Sequence, residues 1–183
     1  MKSEDSLNYI QDNNIFILGD FDSTISTEVI KYLPNLIKVV SEEKHPIINI
    51  FINSSGGYTH ILNSMLYHIS SMKRNGIKIV THNLGNCSSC ASHLFIVGDE
   101  RYMLDSALLL FHYGEVSFSN RSCKETAEHL KYLQNFQDNS VRHMEKYTKI
   151  PKKEIDRMLS TDNIYLTAED CKKFGVTDYI VEG

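Results

Sequence analysis

The chain has 183 residues, with 42% hydrophobic and 23% charged residues, 9 Gly and 3 Pro, which is the composition of one ordinary globular domain and not of a disordered or fibrous chain. A formal net charge of −4, with no dense Lys/Arg stripe, excludes the electrostatic footprint of a nucleic-acid binder. No run approaches the ~18 apolar residues of a membrane span and the N-terminus lacks the zones of a signal peptide, so a cytoplasmic protein without a membrane partner is expected.

Residues 1–14 are polar and of mixed charge and are expected to be loosely ordered; residues 15–183 read as a single domain. Ile15-Phe16-Ile17-Leu18 is a first strand, ended by Gly19-Asp20. Val29, Ile30, Leu33, Leu36, Ile37 and Val40 recur at helical spacing and predict one helix between Thr24 and Val40, capped by Ser26 or Thr27. Ile47 to Ile52 is a nearly continuous apolar strand, stopped by Ser54-Ser55-Gly56-Gly57 and followed by a helix marked by Ile61, Leu62, Met65, Leu66, Ile69 and Met72. A third strand runs from Ile77 to Thr81, and after Gly85 a helix extends through Val97 to Gly98.

Arg101 to Leu104 and Ala107 to Phe111 predict two more strands, the second closing on His112. Ala127, Leu130, Leu133, Phe136, Val141 and Met144 stripe the longest helix, from about Lys124 to Tyr147. A helix over Lys152–Leu159, a short capped helix through Phe174 and a last strand Tyr179–Val181 complete the chain. Alternating strands and helices predict an α/β fold with a largely parallel sheet and right-handed crossovers.

Cys87, Cys90, Cys123 and Cys171 have no disulfide-framework spacing. Cys87-Ser-Ser-Cys90 is formally a C-x-x-C pair, but the chain has no second pair to complete a zinc site. No cofactor and no metal are expected.

The chemistry concentrates in two segments, Asn53–Gly57 and Gly85–Ala91. A serine attacks a carbonyl only if a base takes its proton and preorganised N–H groups meet the developing oxyanion. Ser89 stands at the start of a helix with free amides, the Cys90 amide is a natural oxyanion donor, and Gly57 can supply a second. His112 is the candidate base. Each of these residues alone reads as ordinary capping, turn or strand-end chemistry; their occurrence together, inside an alternating fold, points to acyl transfer.

In that arrangement the chain resembles the ClpP family of serine peptidases, the proteolytic subunit of the Clp protease, from about Ile15 to Val181, as a compact and divergent member. Ile50-Phe51-Ile52-Asn53-Ser54-Ser55-Gly56-Gly57 is similar to the family's strand and N-S-P-G-G turn, with Ser55 in place of proline. Gly85-Asn86-Cys87-Ser88-Ser89-Cys90-Ala91 is similar to its G-x-A-A-S-M-G nucleophile segment, with Cys87, Ser88, Cys90 and Ala91 as departures. Leu109–His112 resembles the strand that delivers the histidine, and Leu166–Asp178 resembles the family's C-terminal segment.

The resemblance implies a ClpP/crotonase-like fold of repeated β-β-α units and a catalytic Ser89 and His112, with Gly57 and Cys90 as the oxyanion hole. Gly56, Tyr113, Gly114, Glu115 and Val116 fall where the family holds the substrate backbone. The third catalytic position is an aspartate in the family; aligned without a gap it is Asn163 here, and a one-residue shift would bring in Asp162. An Asn can orient the imidazole but cannot stabilise imidazolium by charge, so activity is expected to be reduced. The family also implies a homo-oligomeric ring, heptameric or a double ring, polypeptide substrates and an AAA+ unfoldase partner. Two other readings remain at this point: a catalytically weak or inactive ring subunit, and a crotonase-type acyl-CoA enzyme, whose fold uses similar paired N–H donors.

Overall fold

A computed structural model describes residues 9–112, 123–160 and 163–183. Alternation along the strands builds the sheet. In β3 (Ile47–Ser54), Ile48, Ile50, Ile52 and Ser54 turn inward and are buried, and β2 (Asn14–Ile17) buries Ile15 and Ile17 beside them. The other face of β3 carries part of an aromatic ladder. Phe16, Phe51, His82, Tyr102 and Tyr179 stack ring on ring across five strands, with centroid separations of 4.4–5.3 Å.

Among the described residues the sheet has eight strands, in the order β1-β2-β3-β4-β5-β8, with β6 added to β4 and β7 added to β6. Here β1 is Ile10–Gln11, β4 Lys78–Ser88, β5 Glu100–Leu104, β6 Leu108–Phe111, β7 Ile164–Leu166 and β8 Tyr179–Val181. The β1–β2 and β6–β7 pairs are antiparallel and all others are parallel. The expected largely parallel α/β fold is the one observed. The segment 1–14, expected to be loose, includes the short strand β1; residues 1–8 lie outside the described residues.

Two expectations change. The predicted helix over 24–40 is broken into α1 (Ser23–Glu28), a 3-10 turn (Ile30–Tyr32) and α2 (Leu33–Val40). Pro34 in the first turn of α2 has no N–H to carry the helical ladder back towards residue 30, while its preset φ suits a helix start. The N-cap of α1 is Asp22, whose carboxylate accepts from the Thr24 amide at 2.7 Å, and not Ser26 or Thr27.

The second change is β4, which does not end at Thr81 but runs to Ser88. Its first part pairs with β5 through Val80–Asn83 and its last part with β6 through Asn86–Ser88, so two strands share one edge. On the other edge Ile52 faces Asn83 and Ser54 faces Cys87, so two extra β4 residues are accommodated in a bulge. Asparagine side chains satisfy its backbone. Asn53 Oδ1 accepts from the Asn86 amide at 3.1 Å, Asn83 Oδ1 accepts from the Gly85 amide at 3.1 Å, and Asn83 Nδ2 donates to the Leu108 carbonyl at 3.0 Å.

The helices α3 (Thr59–Arg74) and α4 (Cys90–Phe95) pack on the sheet and on each other. The long helix α5 (Cys123–Tyr147) is present as expected, but among the described residues its apolar stripe is covered only at one end. Met144 is buried, Leu133, Phe136 and Val141 are half-buried, and Ala127 and Leu130 are exposed. α6 (Lys152–Ser160) and α7 (Ala168–Lys173) follow, the latter opened by a capping box between Thr167 and Asp170.

Candidate active site

The glycine turn is locked by its neighbours. The Gly56 amide donates to Ser54 Oγ at 3.0 Å, the Gly56 carbonyl accepts from the Phe21 amide at 2.6 Å, and the Phe21 carbonyl accepts from the Tyr58 amide at 2.9 Å. Both glycines have positive φ, +96° at Gly56 and +139° at Gly57. A Cβ at Gly56 would lie 2.6 Å from the Ser88 carbonyl and 2.7 Å from Ser89 Cβ; one at Gly57 would lie 2.7 Å from the Phe21 carbonyl. Glycine is required at both positions for backbone conformation and for space. The turn therefore lies directly against Ser89.

Ser89 closes β4 and precedes α4 with φ +56° and ψ −123°, a sparsely populated region that costs an L residue about 1–3 kcal/mol. Surrounding hydrogen bonds hold it there. Its amide donates to the Leu110 carbonyl at 2.9 Å, and its carbonyl accepts from the Ser92 amide at 3.1 Å and Ser92 Oγ at 2.6 Å. Ser88, by contrast, is buried and donates to Asn86 Oδ1 at 2.7 Å. Of the three serines near the helix start, Ser88 and Ser92 are engaged in local structure and Ser89 sits half-exposed at the strained turn.

Neither the Gly57 nor the Cys90 amide donates to another described residue. Cys90 Sγ donates to the Gly57 carbonyl at 3.2 Å, which holds the glycine turn against the first turn of α4. With six residues, α4 is too short for its macrodipole to matter much, so the electrophilic character of this corner rests on individual amides. Burial pushes the Cys90 thiol up to about 11 and the Cys87 thiol well above its ordinary value. Cys87, Cys90 and Cys171 are free and buried. Thiols of this kind are poor redox nucleophiles.

His112 follows the last residue of β6 and is half-buried. β6 lies between the two other candidates. On one side Leu110 bonds the Ser89 amide, and on the other β7 pairs antiparallel as Leu109↔Leu166, Leu110↔Tyr165 and Phe111↔Ile164. The next step of that register sets residue 112 opposite residue 163. Asn163 is exposed at this strand end. Asp162, Tyr113, Gly114, Glu115 and Val116 lie outside the described residues.

One neighbour was missed in the sequence. His93, one helical turn after Ser89, is buried, packs edge-on against Phe111 at 5.4 Å, and its Nε2 lies 2.8 Å from Ser140 Oγ and its Nδ1 3.3 Å from His143 Nδ1 on α5. Contacts between residues 50 apart leave no local motif, and the helical pattern alone marks position 93 as a packing site. Among the described residues no helix is long and apolar enough to cross a membrane.

Residues 2–183 match a family model described as Clp protease. The chain is 23% identical over 185 residues to the ATP-dependent Clp protease proteolytic subunit 1 of Bifidobacterium longum (strain NCC 2705), covering 100% of this chain and 76% of that protein. It is 26% identical over 179 residues to the ATP-dependent Clp protease proteolytic subunit of Bigelowiella natans, covering 93% of this chain and 85% of that protein.

Proposed function

This chain belongs to the Clp protease family, and from that premise we propose that it is a serine endopeptidase in which Ser89 is the nucleophile, His112 the base and Asn163 the group that orients the imidazole. Ser89 Oγ attacks the scissile carbonyl while His112 takes its proton. The oxyanion is met by the Gly57 and Cys90 amides, which are free of other described acceptors. His112 then protonates the leaving amine, and water, activated by the same imidazole, hydrolyses the acyl-enzyme. Gly56 admits the substrate backbone beside Ser89, and Tyr113, Gly114, Glu115 and Val116 are the residues assigned to binding it.

The observation that carries this reading is the position of β6, bonded at Leu110 to the strained Ser89 on one side and paired with β7 in the register 112 to 163 on the other. That register also supports Asn163 over Asp162. A protein of this kind works as a homo-oligomeric ring or double ring, in the cytoplasm, fed with unfolded polypeptide by an AAA+ ATPase. Support for assembly comes from α5, whose apolar residues Ala127 and Leu130 are exposed among the described residues. Replacing Ser89 by Ala is expected to abolish both fluorophosphonate labelling and cleavage of small peptides; labelling that persists would sink the assignment.

A second reading is a ring subunit with little activity of its own, and Asn163 is what favours it. Asparagine can accept the imidazole N–H but leaves the imidazolium without a counter-charge. A purified chain that joins active subunits yet neither labels nor cleaves would support this second reading.

A further inference from the structure

We propose that the cavity between α3, α4 and α5 receives the side chain of the substrate residue whose carbonyl Ser89 attacks, and that it selects tyrosine. The inference rests on the serine-peptidase reading and adds to it a preference set by residues of this chain. Among the described residues the cavity measures about 120 Å³ and is walled by Leu62, Leu66 and Phe136. That is of the order that takes one aromatic ring.

Its place follows from two helix starts. α3 begins two residues after Gly57, and α4 begins one residue after Ser89. Leu62 and His93 are each the fourth residue of their helix, and both line the cavity. The cavity therefore lies one helical turn, ~5.4 Å, behind the corner where the Gly57 and Cys90 amides meet the oxyanion, within reach of a long side chain. Of all the substrate's side chains, the one on the attacked residue stands nearest to these first turns.

The polar end of the cavity decides which ring it holds. His93 Nε2 lies 2.8 Å from Ser140 Oγ, His93 Nδ1 lies 3.3 Å from His143 Nδ1, and His143 Nε2 has no partner among the described residues. This chain of bonds runs in one of two directions. If His93 donates from Nε2 to Ser140, then His143 donates from Nδ1 and presents Nε2 as an acceptor; if Ser140 donates, the sense reverses and Nε2 presents a proton. A phenol hydroxyl both donates and accepts, so it pairs with either end, whereas a phenylalanine ring leaves Nε2 desolvated and unpaired. Burial, with the neighbouring His143 and His112, lowers His93 to about 3, and burial with Lys146 lowers His143 to about 4. Both rings are neutral near pH 7. The exposed side chains of Asn63 and Asn139 complete the polar lining, which holds no carboxylate, ammonium or guanidinium to pair with a charged side chain.

Two peptides that differ only in Tyr or Phe before the scissile bond test the preference on the wild-type protein. The Tyr peptide is expected to have a kcat/KM at least about tenfold higher. In His143→Leu the two values should come within about twofold of each other. A binding measurement needs no turnover: in the Ser89→Ala protein, N-acetyltyrosinamide should shift the His143 Nε2 resonance saturably in 15N NMR, and N-acetylphenylalaninamide should do so at higher concentration. A Phe peptide cleaved as fast as its Tyr counterpart, or no saturable shift at His143, would overturn the inference. The peptidase reading fails on a different result, the absence of fluorophosphonate labelling at Ser89, so the two failures are told apart in one preparation.

Discussion

The two halves of the candidate site are built by different means. On the Gly56, Gly57 and Ser89 side the geometry is a property of the main chain: two positive-φ glycines, a strained Ser89, and amides and carbonyls locked between Phe21, Ser54 and Leu110. On the His112 and Asn163 side it depends on side chains at the exposed end of two short strands. A main-chain device tolerates exchanged side chains so long as the backbone conformers survive. That explains how Ser55 and Ser88 can occupy motif positions without disturbing the turn. A side-chain device is altered by one substitution, and Asn163 is such a substitution in the proposed relay.

The contrast can be broken most forcefully at Gly56. Gly56→Ala puts a Cβ 2.6 Å from the Ser88 carbonyl at φ +96°, and displacement of Ser89 by even ~1 Å is expected to lower kcat/KM about 100-fold. The conformational strain should also cost about 1–3 kcal/mol of stability, read by urea unfolding. Activity equal to wild type would mean the turn does not position Ser89.

On the other half, Asn163→Asp restores a charge behind His112 and is expected to raise kcat at least about tenfold, given how strongly the reverse exchange slows a serine protease. Asp162→Asn should leave the rate unchanged. If the two variants trade places, Asp162 and not Asn163 is the orienting group.

A brace outside both halves should affect stability and spare chemistry. Arg101 Nε donates to Asp178 Oδ2 at 2.8 Å and Arg101 Nη2 to Asp178 Oδ1 at 2.9 Å, tying β5 to the segment before β8. Burial alone would raise the Asp178 carboxyl, but hydrogen bonds and charge from Arg101 outweigh it and hold the group below 3.8. A depressed folded-state value means this stabilisation is complete above the unfolded value and is lost as pH falls below about 3.8. Asp178→Asn is expected to cost about 1–3 kcal/mol at pH 7 and to flatten that acid limb.

The smallest separable effect lies at the buried imidazoles. His93 and His143 titrate at 6.5 when unfolded but at about 3 and about 4 when folded. Folding keeps them neutral, so stability is full above pH ~6.5 and declines as pH drops towards ~4, before Asp178 contributes. His143→Gln should remove part of this earlier decline in an unfolding series from pH 7 to pH 4.

These halves were also unequally legible in the sequence. Gly56, Gly57 and Ser89 were readable because glycine and a serine at a helix start carry backbone demands with them. The course of β4 was not, because Asn83, Gly85 and Asn86 have the composition of a turn; only contact with Asn53 and Leu108 turns them into a bulged strand. The apolar stripe of α5 was visible, but periodicity says that a face will be covered and not by what. The His93–His143 pair left no trace, since each residue alone fits a helical packing position and their meeting depends on how α4 crosses α5.

The most direct test of the central claim is fluorophosphonate labelling of the native protein, with intact mass and peptide mapping of the adduct. One adduct per chain on Ser89, absent from Ser89→Ala and faster in Asn163→Asp, is the predicted result. An adduct on Ser88 or Ser92, or labelling that survives Ser89→Ala, would contradict the account.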